Sequence, residues 1–282
     1  MYSKVYVEIT NICNMSCSFC HGTRREKRQM TLGEFGRAIE SLRGITEYIY
    51  LHILGEPLTH PLLPTFIEYA TKRDFKVAIT TNGTLLSKKG DLLIRSGVYK
   101  VNISLHSFEG ESEQNQAAYI KSCIEFADKS SKAGVLTVLR LWNISDGDDG
   151  LAASKRNELT ISLLKNHFGE DWHFGARGAR IRDKLHIEYG ERFEWPDAKS
   201  EMLGERVFCH GLGDHFGILV DGSVVPCCLD AEGDITLGNI FESDINSILS
   251  SPRAVQMREG FQNKKGVEEL CKRCSYARRF KI

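Results

Sequence analysis

The sequence predicts an α/β chain, a parallel sheet covered by helices, and three observations carry that reading. Short β-branched runs alternate with amphipathic stretches as far as Trp142. Turn signals such as Asn82-Gly83 and Gly134 punctuate the alternation at the interval of βαβ units, whose parallel strands need helical crossovers. At 282 residues the chain can bury a full core.

The elements follow in order. Val5 to Thr10 alternates and reads as a strand running into the loop Cys13-x3-Cys17-x2-Cys20. Thr31 and Glu34 have capping-box spacing, with Leu32, Phe35, Ile39 and Leu42 on one helical face. Tyr48 to Leu54 is a second strand, and a helix follows the turn around Pro61 and Pro64. Phe75 to Thr81 is a third strand, Lys88 to Arg95 a short helix, and Lys100 to His106 a fourth strand. Ala117 to Lys132 is a long helix stopped at Gly134, and Val135 to Trp142 a fifth strand. Asp146 to Gly150 reads as a flexible turn and Leu151 to Phe168 as a helix. A sixth strand falls at Asp171 to Phe174 or at Leu185 to Tyr189.

From about Glu205 the character changes. Phe216 to Val220 and Ser223 to Cys227 form a hairpin across Asp221-Gly222, and short helices follow at Ser243 to Leu249, Pro252 to Glu259 and from Val267. The predicted division is 1–204 and 205–282. The second part is too small for a large core of its own, so a metal centre would help hold it.

Composition excludes some classes. Lys plus Arg and Asp plus Glu both number 37, so no global field favours nucleic acid or a membrane surface. No run approaches the ~20 apolar residues of a transmembrane helix. Nine cysteines is an odd count, and Met1 to Val5 has neither an h-region nor a cleavage site. A disulfide framework is therefore disfavoured, and a cytoplasmic chain with reduced thiols is expected.

Three thiolates on one short loop can hold three corners of an iron–sulfur cube and leave the fourth iron without a protein ligand, whereas an electron-transfer ferredoxin closes all four. Zinc is the competing reading, with His21 as a possible fourth ligand. Cys209, Cys227, Cys271 and Cys274 form a second set, for which zinc also stays open, and Cys228 is an alternative to Cys227. Cys123 shares an apolar helical face with Tyr119, Ile120, Ile124 and Ala127, which reads as a buried structural thiol.

On these residues the chain resembles the radical S-adenosylmethionine (SAM) enzymes of the SPASM/Twitch group, over nearly its whole length. The resemblance implies a partial (β/α)6 barrel with a small C-terminal Twitch auxiliary-cluster domain. It makes Cys13, Cys17 and Cys20 ligands of a [4Fe-4S] cluster whose open iron binds SAM, and puts Phe19 near the adenine. Leu54-Gly55-Glu56-Pro57 resembles the family's Gly-Gly-Glu-Pro segment, with leucine replacing the first glycine. Gly55 and Glu56 would then meet the SAM ammonium through a charge-assisted hydrogen bond. Asn82 in Thr80-Thr81-Asn82-Gly83 and Ser104 would line the pocket, and the planar fork of Arg140 would meet the SAM carboxylate. Each has an ordinary alternative: Glu56 as a helix cap, Asn82-Gly83 as a common turn, Arg140 as an ion-pair partner. Their shared placement at C-terminal strand ends favours the ligand reading.

In the same family, Cys209, the Gly222-x4-Cys227 step and Cys271-x2-Cys274 hold one auxiliary [4Fe-4S] cluster. A full SPASM domain carries three more ligands, and only eight residues, none of them cysteine, follow Cys274. The implied reaction is reductive cleavage of SAM to a 5′-deoxyadenosyl radical and hydrogen abstraction from a peptide or small molecule. A net oxidation follows if the auxiliary cluster accepts the second electron. Cys123 would be a hydrogen-atom donor in the sharper reading. Reduced flavodoxin or ferredoxin is the expected electron donor, received by Arg24 to Arg28 or by Lys272, Arg273, Arg278, Arg279 and Lys281. Strand one starts too early to leave room for a leader-peptide-binding module, so a small substrate or a separately delivered peptide is expected. Asp171, Asp183 and Glu194 are general-base candidates that the sequence cannot position. Two other readings stay open: an RNA-modifying member of the superfamily using the basic clusters, and a non-catalytic zinc-binding β/α protein.

Overall fold

The structure is a computed structural model that describes residues 1–108, 112–144, 155–192 and 194–280. In chain order its elements are β1 (Lys4–Val7), α1 (Leu32–Ser41), β2 (Tyr48–Tyr50), α2 (Leu63–Thr71), β3 (Lys76–Thr81), α3 (Leu86–Arg95), β4 (Lys100–Ser104), α4 (Glu113–Lys132) and β5 (Leu136–Ile144). There follow α5 (Lys155–Phe168), β6 (His173–Gly175), β7 (Gly178–Arg182), β8 (Leu185–Glu191), β9 (His215–Ile218), β10 (Ser223–Val225), β11 (Gly238–Asn239), α6 (Ile245–Leu249), α7 (Pro252–Gln262) and α8 (Glu269–Lys272). The turn expected at Asp146 to Gly150 and the start of the helix expected from Leu151 lie outside the described residues.

The chain forms two compact units. The first comprises 1–62, 69–76 and 193–282, and the second 63–68 and 77–192.

In the first unit, β1 pairs in parallel with β2 on one side and with β9 on the other, Val5 opposite Ile49 and Phe216. β10 continues the sheet antiparallel to β9, and β11 pairs antiparallel with β10. Alternation along β1 buries Val5 and Val7 completely, with Ile49, Leu51, Phe216 and Ile218 in the same core. The capping box on α1 forms with both bonds: Glu34 N donates to Thr31 Oγ1 (3.2 Å) and Thr31 N to Glu34 Oε2 (2.7 Å). Phe35 and Ile39 are buried as expected, but Leu32, the first residue of α1, is 42% exposed.

In the second unit, β3, β4, β5 and β8 run parallel, and β7 and β6 complete the edge antiparallel. Both candidate positions for the sixth strand are therefore strands. The one at Leu185 to Tyr189 is the parallel partner of β5, and the one near Phe174 belongs to a hairpin with β7, which the sequence did not signal. The expected face of α4, Tyr119, Ile120, Cys123, Ile124 and Ala127, is buried. The second strand is shorter than expected because the chain leaves the sheet at Leu51 for the glycine turn at Gly55.

Two asparagines inside the second unit pair with each other. Asn143 Nδ2 donates to Asn157 Oδ1 (2.8 Å) and Asn157 Nδ2 to Asn143 Oδ1 (3.0 Å), with both residues buried. Asn157→Ala leaves one buried amide without its reciprocal partner. It should cost about 1–3 kcal/mol of stability, read as a lower denaturation midpoint with an unchanged slope; an unchanged midpoint would contradict the pairing.

Candidate functional site

In the first unit the cysteine loop hangs from the end of β1 and its neck is closed by one side chain. Asn11 Nδ2 donates to Glu26 O (2.8 Å), and Asn11 Oδ1 accepts from Arg28 N (2.8 Å). Between these points Cys13 and Cys20 are exposed and Cys17 half-buried, and Phe19 is half-buried. Met15 N donates to Cys13 Sγ and Gly22 N to Cys20 Sγ, both at 3.4 Å.

The Leu54–Pro57 segment is stitched to the start of this loop. Glu56 N donates to Ile12 O (2.9 Å). Gly55 has φ +73°, and a Cβ there would lie 2.4 Å from Thr10 O, so backbone conformation and close approach both require glycine. Glu56 is 1% exposed, and its Oε1 accepts from Leu58 N (3.0 Å), capping the short 3-10 turn Pro57–Thr59. The capping alternative is thus real. It uses one lone pair of a carboxylate that has about four acceptor sites.

Beneath both segments lies Glu8, fully buried on the continuation of β1. Its Oε1 accepts from Arg25 Nη2 (2.7 Å) and Leu54 N (3.3 Å), and its Oε2 from Val220 N (3.0 Å). Arg25 Nε donates in turn to Ala231 O (2.9 Å). Burial pushes the Glu8 carboxyl up, and Arg25 with the two amides opposes that. Part of the Arg24 to Arg28 run is paired rather than free, while Arg24 and Lys27 stay exposed. Arg25 turns inward to Glu8, Arg28 pairs with Glu34, and Arg24 pairs with Glu232 (3.6 Å). His21 packs edge-on against Trp195, ring centroids 4.7 Å apart.

The distal cysteines lie in the same unit. Cys209, Cys227, Cys271 and Cys274 are half-buried and free, and Gly211 N donates to Cys209 Sγ (3.3 Å). Burial pushes all four thiols up, and nearby thiolates push Cys209, Cys227 and Cys271 further: Cys274 acts on Cys209, Cys209 on Cys227 and Cys271. Four facing thiols that resist ionising together are relieved by a bound cationic centre, which deprotonates coordinating thiols outright. Among the described residues no three His, Cys, Asp or Glu side chains converge closely enough to hold a single ion. Cys228 diverges from Cys227. It bonds to Tyr6 and packs on the apolar cluster of Ile53, Leu54, Leu219, Val225 and Ala231, and burial pushes its thiol up to about 11.

In the second unit Asn82 follows β3, Ser104 ends β4, and Arg140 lies midway along β5. Tyr119 Oη donates to Asn82 O (2.6 Å) and lies 3.1 Å from Ser104 O. Ser104 stands opposite Arg140 in the register of β4 and β5. Arg140 contacts Glu188 Oε2 (3.3 Å) and Thr80 Oγ1 (3.5 Å), with its guanidinium 4.6 Å from the centre of the Trp142 ring. Cys123 is fully buried beneath Gly83, and burial pushes its thiol up to about 12, the environment of a packing residue. Asp171 and Asp183 belong to this unit and Glu194 to the first.

The sequence reading missed Glu8, Arg25, His106 and Trp195. Only Glu8 left a signal, as an acidic residue between Val7 and Ile9 in an otherwise apolar strand.

Comparison with known proteins agrees with this geometry. The radical SAM superfamily model matches residues 7–142, and the SPASM iron-sulfur cluster-binding domain model matches 209–275. A probable GTP 3′,8-cyclase of Sulfurisphaera tokodaii is 33% identical over 270 residues, 85% of each chain. The GTP 3′,8-cyclase of Chlorobaculum tepidum is 32% identical over 204 residues, 66% of this chain; the match spans 62% of that enzyme's length. In fold, the chain is similar to BtrN in complex with AdoMet and 2-DOIA (TM-score 0.62, 20% identity, 98% of this chain and 93% of that one). The chain belongs to the radical SAM superfamily and carries a SPASM-type iron–sulfur domain. Its fold is the mixed α/β partial barrel of that superfamily, with an unclosed sheet, and its cofactors are [4Fe-4S] clusters and SAM.

Two predictions follow from the site. Gly55→Ala must strain a left-handed backbone and push against Thr10 O, so it should cost about 2–4 kcal/mol and weaken SAM binding; unchanged stability and binding would contradict the close approach. His106 Nδ1 accepts from Trp142 N, and burial pushes its pKa down to about 4. The unfolded chain binds a proton near pH 6.5 while the folded one does not, so stability falls as pH drops below 6.5. Between pH 7.5 and 5.5 this group should remove about 1.4 kcal/mol, a difference that denaturant titrations should find smaller in His106→Gln.

Proposed function

We propose that this chain is a radical SAM oxidoreductase of the Twitch kind, with a catalytic module at 1–204 and a single-cluster auxiliary module at 205–282. The observation that carries the reading is the stitching of the cysteine loop to the Glu56 segment through Glu56 N and Ile12 O. In this reading Cys13, Cys17 and Cys20 hold the SAM-binding cluster and leave one iron open. Cys209, Cys227, Cys271 and Cys274 close the auxiliary cluster. When bound, an open cluster held by Cys13, Cys17 and Cys20 together with SAM would supply radical abstraction of hydrogen from a substrate C–H bond, and a closed cluster held by Cys209, Cys227, Cys271 and Cys274 would supply one-electron oxidation.

The chain's own residues bind and orient. Glu56, already desolvated, accepts from the SAM ammonium. Gly55 lets the backbone come close, and Phe19 lies along the adenine. Arg140 offers its fork to the carboxylate, steadied by Glu188 and Trp142. Asn82 and Ser104 face the ligand, held from behind by Tyr119. An acidic one-electron carrier, flavodoxin or ferredoxin, docks on the basic C-terminal face, where Arg206, Lys272 and Arg278 wall a cavity beside Cys271 and Cys274. The substrate is a peptide or a small molecule and the setting cytoplasmic; among the described residues no helix is long and apolar enough to cross a membrane.

A second reading, a nucleotide substrate, is favoured by the 33% identity to a probable GTP 3′,8-cyclase over most of both chains. Incubation with GTP under reducing, anaerobic conditions tests it: a cyclised nucleotide product supports it, and unconsumed GTP argues against it.

For the principal reading, anaerobic reconstitution should load about eight irons per chain and give dithionite-dependent 5′-deoxyadenosine. A loaded protein that forms none would overturn it. Cys271→Ala with Cys274→Ala should abolish substrate oxidation while uncoupled SAM cleavage persists. Retained oxidation would refute the electron route.

A further inference from the structure

Glu8 and Arg25 hold no part of the proposed SAM or cluster sites, yet their bonds reach the exit of the cysteine loop, the segment before Glu56 and the hairpin around Cys227. Arg25 lies five residues beyond Cys20, at the exit of the cysteine loop. Leu54, whose amide bonds to Glu8 Oε1, lies two residues before Glu56. Val220, bonded to Glu8 Oε2, opens the hairpin turn that leads to Cys227, and Ala231, bonded by Arg25 Nε, lies four residues past it. We infer that Glu8 and Arg25 are a positioning pair that sets the Glu56 segment and the auxiliary hairpin against the cysteine loop in the geometry SAM binding requires. This rests on the radical SAM reading above.

The chemistry of the two side chains fits that task. Three N–H donors converge on the Glu8 carboxylate, which is fully buried, and only an acceptor-only group serves all three. Glutamine would turn an NH₂ toward one of those donors, and aspartate is one methylene short. Arg25, with a side chain only 14% exposed, uses two separate nitrogens for two separate acceptors. Lysine keeps the charge, but its three N–H donors radiate from a single nitrogen and lack the planar fork that spans two separated acceptors. Apart from their mutual contact, the side-chain bonds of the pair go to backbone atoms of Leu54, Val220 and Ala231, close in sequence to Glu56 and to the cysteines. The pair acts through the backbone of the segments that bear them.

The test uses the anaerobically reconstituted, dithionite-reduced full chain, titrated with SAM and followed by the change in the cluster's electron paramagnetic resonance spectrum. E8Q should keep its iron and its cooperative unfolding, while the SAM concentration for half-maximal spectral change rises about tenfold or more, the scale of one lost charged hydrogen bond. R25K should shift the midpoint the same way by less. An unchanged midpoint in E8Q overturns the inference. Loss of iron from both variants also overturns it, by assigning the pair to folding alone. A wild-type chain whose spectrum ignores SAM overturns the functional reading and this inference together; a responsive wild type beside an equally responsive E8Q overturns this one only.

Discussion

A carboxylate with no exposed surface stays charged in a protein interior only if donors fill its lone pairs. Glu8 meets that requirement with one guanidinium and two backbone amides, and the requirement runs both ways. The three donors come from the exit of the cysteine loop, from the segment before Glu56 and from the auxiliary hairpin. None of those segments can drift without uncovering a buried charge. The parallel pairing of β1 with β9 sets the coarse register, and the Glu8 carboxylate fixes the ends of the two strands.

The cysteine chemistry rests on that frame. The proximal thiols stand on an exposed loop closed at its neck by Asn11, open to solvent and to a ligand. The distal four are half-buried and hinder one another's ionisation, a state that a cationic cluster relieves. The two sets have opposite environments: one accessible and able to take an outside ligand, the other enclosed and suited to passing electrons. An enzyme that couples radical formation to oxidation needs both.

Much of this was legible in the sequence because period and spacing encode it. The alternation of β1, the Thr31–Glu34 box and the apolar face of α4 each state a local geometry that packing then keeps. The cysteine spacings and Leu54-Gly55-Glu56-Pro57 were readable for the same reason, since a loop that wraps a ligand does so over few residues. Long-range polar pairing was not readable. Glu8 and Val220 are 212 positions apart, and a basic run such as Arg24 to Arg28 looks solvated until its partners Glu8, Glu34 and Glu232 are brought to it. Leu32 went the other way: its period matched the buried face, yet at the first position of α1 it is 42% exposed. The β6–β7 hairpin escaped notice because the alternation Ala179-Arg180-Ile181-Arg182 spans only four residues.

The central claim is that one of two clusters keeps an iron for SAM and the other does not. Mössbauer spectroscopy of the ⁵⁷Fe-reconstituted chain, with and without SAM, tests it most directly. The account predicts that SAM changes the signal of about one iron in eight and leaves the rest as they were. A spectrum that SAM does not alter, or that changes equally across both clusters, would contradict it.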